Sequence, residues 1–125
     1  MRGQGVMFIL FAASLLAMNV LFICNQNKHR SKTAEDVFRS VCVARSAGLY
    51  NEHPVTKEQI AQADVVVVME DAQRSEIAKR FPSLYLTKRI LCWNIPDIYR
   101  FGQPELVDAL KEKAGDLLTE PSVIL

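Results

Sequence analysis

Hydrophobic and polar positions come in blocks along this chain, and the blocks alternate between strand-like and helix-like periods. NVLFI at 19–23 is a short apolar run rich in β-formers, suited to a central parallel strand covered on both faces. SKTAEDVFRS at 31–40 puts Ala34, Val37 and Phe38 on one helical face. VCVAR at 41–45 predicts a second strand, with SAG at 46–48 as a small-residue turn after it. PVTKEQIAQA at 54–63 has Thr56 followed three residues later by Gln59, the spacing of a capping box. DVVVVME at 64–70 is the clearest strand, because consecutive β-branched valines disfavour a helix. DAQRSEIAKRF at 71–81 predicts an amphipathic helix stopped by Pro82. RILCWNI at 89–95 predicts a fourth strand. A loop with Pro96, Asp97 and Gly102 then leads to a last helix from Pro104 to about Leu118, with Leu106, Leu110, Ala114 and Leu117 as its buried stripe. The tail TEPSVIL is expected to be loosely held, with its last three residues able to dock.

Strands alternating with helices predict an α/β fold: a four-stranded parallel sheet with helices on both faces. Ligands in such sheets bind beyond the carboxyl ends of the strands. Cys24, Ser46 and Asp97 each follow a strand in this reading and are expected on one rim. At 125 residues the chain has room for one core.

The N-terminus complicates the pattern. From Val6 to Cys24 only Ser14 and Asn19 are polar, which passes for a membrane span. Met7 to Met18, preceded by Arg2, also has the character of a signal-peptide apolar region. A membrane helix would consume the strand that the following loop needs, and the cleavage site near Ala17 is poorly formed. The reading adopted is a hydrophobic extension over 1–17, with Met18 as an alternative start, and a working domain over 18–125. A membrane anchor or an export signal in residues 1–17 stays open.

Composition adds exclusions. The chain is 50% apolar and 23% charged with a formal net charge of +1, so no basic field recruits nucleic acid. Its three cysteines, Cys24, Cys42 and Cys92, are too few and too far apart for a disulfide framework. With only His29 and His53 beside them, no metal site and no cofactor are expected. A reducing, cytoplasmic setting fits this usage.

The candidate chemistry lies in CNQNKHRS at 24–31. At a strand-to-helix junction, the backbone N–H groups of Asn25, Gln26, Asn27, Lys28 and His29 can turn inward, and the next helix adds its N-terminal partial charge. Arg30 closes this anion cradle with a planar fork that matches two phosphate oxygens. A cysteine at its base sits in positive potential, which favours the thiolate that attacks phosphorus. Ser31 can donate to that sulfur, and Asn27 can tie the loop through its amide. Asp97, after a strand and beside Pro96, is a candidate proton donor to a phenolate leaving group and then base for the hydrolytic water. Tyr50 and Tyr99 are candidate aromatic walls.

C-x5-R-S directly after an apolar first strand resembles the low-molecular-weight protein tyrosine phosphatases. The likeness continues in TAE at 33–35, SAG at 46–48, ADVVVVM at 63–69 and the late Asp97, and it covers most of 18–118. It implies a doubly wound four-stranded parallel sheet and a two-step reaction through a phosphocysteine. Cys24 would be the nucleophile, Arg30 the phosphate and transition-state binder, and Asp97 the general acid, with Asn27 and Ser31 in support. The implied substrate is a phosphotyrosine protein or a small aryl phosphate.

Three departures stand out. The family order Asp-Pro is here Pro96-Asp97-Ile98. Gln26 and His29 replace the usual Gly and second Cys of the loop, which removes a partner for an oxidised Cys24. The segment between SAG and the valine strand is short, which marks a compact branch. Two alternatives remain: a non-catalytic phosphate-binding module, and a thiol-dependent arsenate reductase, which would need Cys42 and Cys92 to carry electrons. Both of these cysteines are expected in strand interiors, and His29 as a solvent-facing loop residue.

Overall fold

The computed structural model describes residues 15–118. The extension expected over 1–17, apart from its last three residues, and the tail after Leu118 lie outside them. Four parallel strands form one sheet: β1 (Asn19–Cys24), β2 (Val43–Gly48), β3 (Val65–Val68) and β4 (Arg89–Cys92), in the order β2-β1-β3-β4. The helices are α1 (Arg30–Phe38), α2 (Lys57–Gln62), α3 (Asp71–Arg80), α4 (Pro82–Thr87) and α5 (Pro104–Lys113), and α5 tightens into a 3-10 turn over Ala114–Leu118. This is the architecture the alternating pattern predicts.

The two-residue period of β1 divides the core. Val20, Phe22 and Cys24 face α1 and α5, among Ala34, Phe38, Trp93, Leu106 and Leu110. Phe22, Phe38 and Trp93 form an aromatic triangle with ring centroids 5.5 to 5.7 Å apart. Leu21 and Ile23 face the other way, toward Ile60 of α2, Ile77 of α3 and Leu84 of α4. Both faces are covered, which is why β1 and β3 read as unbroken apolar runs.

The strand order positions the site. From β1 the chain steps outward to β2, then crosses back to β3 on β1's other side. The connections after β1 and β3 therefore part at the carboxyl edge next to Cys24, the place where sheets of this kind bind ligands.

Several sequence expectations shift. The second strand begins at Val43, not Val41, because the chain first turns at the end of α1, where Val41 N–H and Cys42 N–H both donate to Phe38 O. SAG is not a turn but the end of β2. Ser46 pairs with Phe22 within the sheet, and its hydroxyl donates to Glu35 Oε1 at 3.1 Å, so it stands off the rim. Cys42 is a buried turn residue whose Sγ donates to Phe38 O, and Cys92 is the half-buried last residue of β4 rather than an interior one. Pro82 ends α3 but also starts α4, since a first-turn proline has no intrahelical N–H to lose. The capping box at Thr56 forms: Thr56 N–H donates to Gln59 Oε1 at 2.8 Å and Gln59 N–H to Thr56 Oγ1 at 3.2 Å. Of the stripe on the last helix, Leu106, Leu110 and Leu117 are buried and Ala114 is half-buried. Among the described residues no helix is long and apolar enough to cross a membrane.

Candidate active site

Cys24 ends β1 and is buried. The chain then runs through Asn25–His29 into α1. Leu49 N–H donates to the carbonyls of Cys24 (3.1 Å) and Asn25 (3.0 Å), and Tyr50 N–H donates to Asn25 O at 2.9 Å. Gly48 permits this close approach, because a Cβ there would lie 2.8 Å from the Asn51 side chain and 3.1 Å from Asn25 O. Asn27 sits at φ 54°, a left-handed conformation that asparagine tolerates better than most residues. Among the described residues, no backbone carbonyl or side chain accepts from the N–H groups of Gln26, Asn27, Lys28 or His29. The loop thus carries uncommitted donors next to the thiol, as an anion cradle requires.

The Ser31 Oγ lies 3.0 Å from Cys24 Sγ and 2.7 Å from Asn27 Oδ1. One hydroxyl has one proton. While Ser31 donates to Asn27 Oδ1, it can only accept from a Cys24 thiol. A thiolate needs that proton for itself, and turning the Asn27 amide so that its NH₂ faces Ser31 releases it. The three side chains can therefore serve both protonation states of the sulfur.

Arg30 opens α1, and its side chain is only 1% exposed. One terminal nitrogen donates to Ile95 O at 2.8 Å and pairs with Glu70 Oε1 at 3.0 Å. Its Nε lies 3.7 Å from Asp97 Oδ1, too long for a hydrogen bond, and has no hydrogen-bond partner. Asp97, 56% exposed, thus lies beside the guanidinium that follows the loop after β1.

Two residues that sequence reasoning passed over complete the floor. Glu70 follows β3 and holds Arg30. Gln73 is buried, accepts from Met69 N–H (2.7 Å) and Glu70 N–H (3.0 Å), and donates to Asn25 Oδ1 at 3.1 Å. The available signal was the E-x-x-Q spacing after the valine strand, a second capping box.

The other expected residues fall as follows. Gln26 and Lys28 are exposed. His29 is exposed but engaged: its Nδ1 accepts from Phe101 N–H at 3.1 Å. Tyr50 stands beside the loop, half exposed, with the Arg80 guanidinium 5.1 Å from its ring centre. Tyr99 packs partly against the core below the Asp97 segment. Cys42 and Cys92 pack on opposite faces of the sheet. Burial pushes the Cys42 thiol up to about 11, and burial also raises that of Cys92. Among the described residues no group of three or more His, Cys, Asp or Glu side chains could hold a metal ion.

No protein-family model and no curated protein sequence matches the chain. Solved structures do. The tyrosine phosphatase Wzb from Escherichia coli K30, in complex with phosphate, aligns at TM-score 0.63 and 19% identity over 79% of this chain and 94% of its own. A low molecular weight protein tyrosine phosphatase from Bacillus subtilis aligns at TM-score 0.58 and 20% identity over 81% and 92%. The YwlE arginine phosphatase from Geobacillus stearothermophilus aligns at TM-score 0.59 and 21% identity over 81% and 88%. The doubly wound four-stranded sheet is the fold of the low-molecular-weight protein tyrosine phosphatases.

Proposed function

We propose that this protein is a cysteine-dependent phosphatase that hydrolyses phosphotyrosine, or small aryl phosphate monoesters, through a phosphocysteine intermediate. The observation that carries the reading is the Asp97 carboxylate, 3.7 Å from Nε of an Arg30 that belongs to the same C-x5-R-S loop as Cys24. Nucleophile, anion binder and proton donor then share one crevice.

In the first step the Cys24 thiolate attacks phosphorus, the bond from phosphorus to the ester oxygen breaks, and Asp97 gives its proton to that oxygen. The loop N–H groups and Nε of Arg30 bind the equatorial oxygens, where charge develops. In the second step Asp97, now a carboxylate, takes a proton from water as that water attacks phosphorus. The bond from sulfur to phosphorus breaks, releasing inorganic phosphate and the thiolate, which Ser31 receives. Tyr50 flanks the mouth of the site and suits an aromatic ring. A reducing compartment such as the cytoplasm follows from the chemistry, since only a reduced Cys24 can act.

The position of Asp97 disfavours a purely binding module. The separation of Cys42 and Cys92 on opposite faces disfavours a disulfide relay of the arsenate reductase kind. Hydrolysis of p-nitrophenyl phosphate by the wild type and by Cys24→Ser tests the proposal. The variant is expected to be inactive, and equal turnover in both would sink it.

A further inference from the structure

The segment that carries Asp97 has little structure of its own. Between Ile95 and α5, Pro96, Asp97, Ile98 and Arg100 are exposed, and Ile98 keeps 72% of its surface in water. It behaves as a strap held at its two ends. The near end is Ile95, which is buried; its N–H donates to Met69 O at 3.0 Å and its carbonyl accepts from Arg30 at 2.8 Å. At the far end, Phe101 N–H donates to His29 Nδ1 at 3.1 Å, and Gly102 N–H donates to the hydroxyl of Thr33 at 3.0 Å. Gly102, at φ 71°, turns the chain so that consecutive N–H groups reach these two acceptors. Arg100 and Gln103 close the turn on themselves: Arg100 N–H donates to Gln103 Oε1 at 3.0 Å and Gln103 N–H to Arg100 O at 3.1 Å.

Both ends therefore attach to the element that carries the nucleophile and its arginine. His29 immediately precedes Arg30, and Thr33 lies one turn further along α1, buried. Neither side chain reaches Cys24 in any hydrogen bond of the loop, so neither has a chemical task there. We infer that His29 and Thr33 are positioning residues for the acid step: their two side-chain acceptors hold the far end of the Asp97 strap, and with it the carboxylate, over the phosphate loop. This rests on the reading of Asp97 as proton donor. It also explains what the imidazole at position 29 does: with its proton on Nε2, the ring offers the Nδ1 lone pair to Phe101.

The two roles separate by leaving group. Nitrophenolate departs without help, whereas phenolate needs the proton that a well-placed Asp97 supplies. Thr33→Val, which removes the acceptor at nearly constant shape, and His29→Leu are measured alone and together. The readout is kcat/KM for p-nitrophenyl phosphate and for phenyl phosphate, a constant that covers the steps through cleavage of the ester bond. Thr33→Val is expected to stay within about threefold of wild type on p-nitrophenyl phosphate and to lose about tenfold or more on phenyl phosphate, and adding His29→Leu, a change in the loop itself, is expected to widen the ratio between the two esters further. His29→Gln and Thr33→Ser, which keep an acceptor, are expected to recover most of that loss. In an Asp97→Asn background the same substitutions are expected to have no further effect. Equal losses on both esters, or an undiminished loss in the Asp97→Asn background, overturn the inference. Thr33→Val alone answers the same question if the double variant does not fold. Cys24→Ser in the same assay keeps the readings apart: activity in that variant refutes the phosphatase itself, whatever the tethers do.

Discussion

The phosphate loop and the Asp97 strap meet at Arg30, yet they are built in opposite ways. In the loop the side chains of Cys24, Asn27 and Ser31 bond one another, and its start is held from outside by Leu49, Tyr50 and Gln73. The strap borrows its anchors from residues 65 to 72 positions away. The loop lies over a buried floor, while Asp97 and Ile98 stand in solvent. Under the proposed reaction this division separates what must be fixed, the anion cradle, from what must meet and release a varying leaving group.

That contrast sets the order of expected effects. Cys24→Ser and Arg30→Lys strike the cradle and should reduce kcat/KM on every phosphate ester alike. The serine should remove activity, and the lysine, which lacks the planar fork, should cost roughly 10²-fold or more. Steady-state assays over several esters check this, and a leaving-group dependence in Arg30→Lys would blur the division. Asp97→Asn strikes the strap. It should cost about 10²-fold on phenyl phosphate and far less on p-nitrophenyl phosphate. Steady-state kcat/KM of both proteins on the two esters decides it.

Gln73→Leu is the test from beneath the cradle. It leaves Met69 N–H, Glu70 N–H and Asn25 Oδ1 without their partner and should destabilise the fold by about 2–3 kcal/mol. Urea unfolding measures this, and activity should drop on both esters together, as for a loop variant. The smallest effect concerns Cys42. Its buried thiol keeps its proton up to about 11, against an ordinary 9.0, so the unfolded chain loses that proton first. Stability should be full below pH 9 and decline as pH rises toward 11, by roughly 2 kcal/mol, and Cys42→Ala should flatten the decline.

What could be read from sequence divides along the same line. The first strand, the C-x5-R-S loop and the Thr56 capping box rest on spacings of a few residues, and the valine strand rests on β-branching. These are local signals, and the fold carries them. Ser46 was expected on the rim because SAG reads as a turn, but pairing with β1 draws those small residues into the sheet, and the close approach of Asn25 to Gly48 accounts for the glycine. Glu70, Gln73 and the tethers of His29 and Thr33 depend on contacts between distant segments, which no local period encodes. Asp97 lies between the two cases: its residue type and place after a strand were legible, and its approach to Arg30 is a tertiary result.

The long reach of these anchors has a consequence for the nascent chain. Cys24 and Arg30 leave the ribosome well ahead of Ile95, whose carbonyl lies 65 residues after the arginine it receives. At roughly 5–20 residues per second, that interval is about 3–13 s. Val65–Val68 of β3 emerge part-way through that interval, but for all of it the thiol has no acid above it. The polypeptide must carry the Cys24 thiol through synthesis before the rest of the site exists to shelter it.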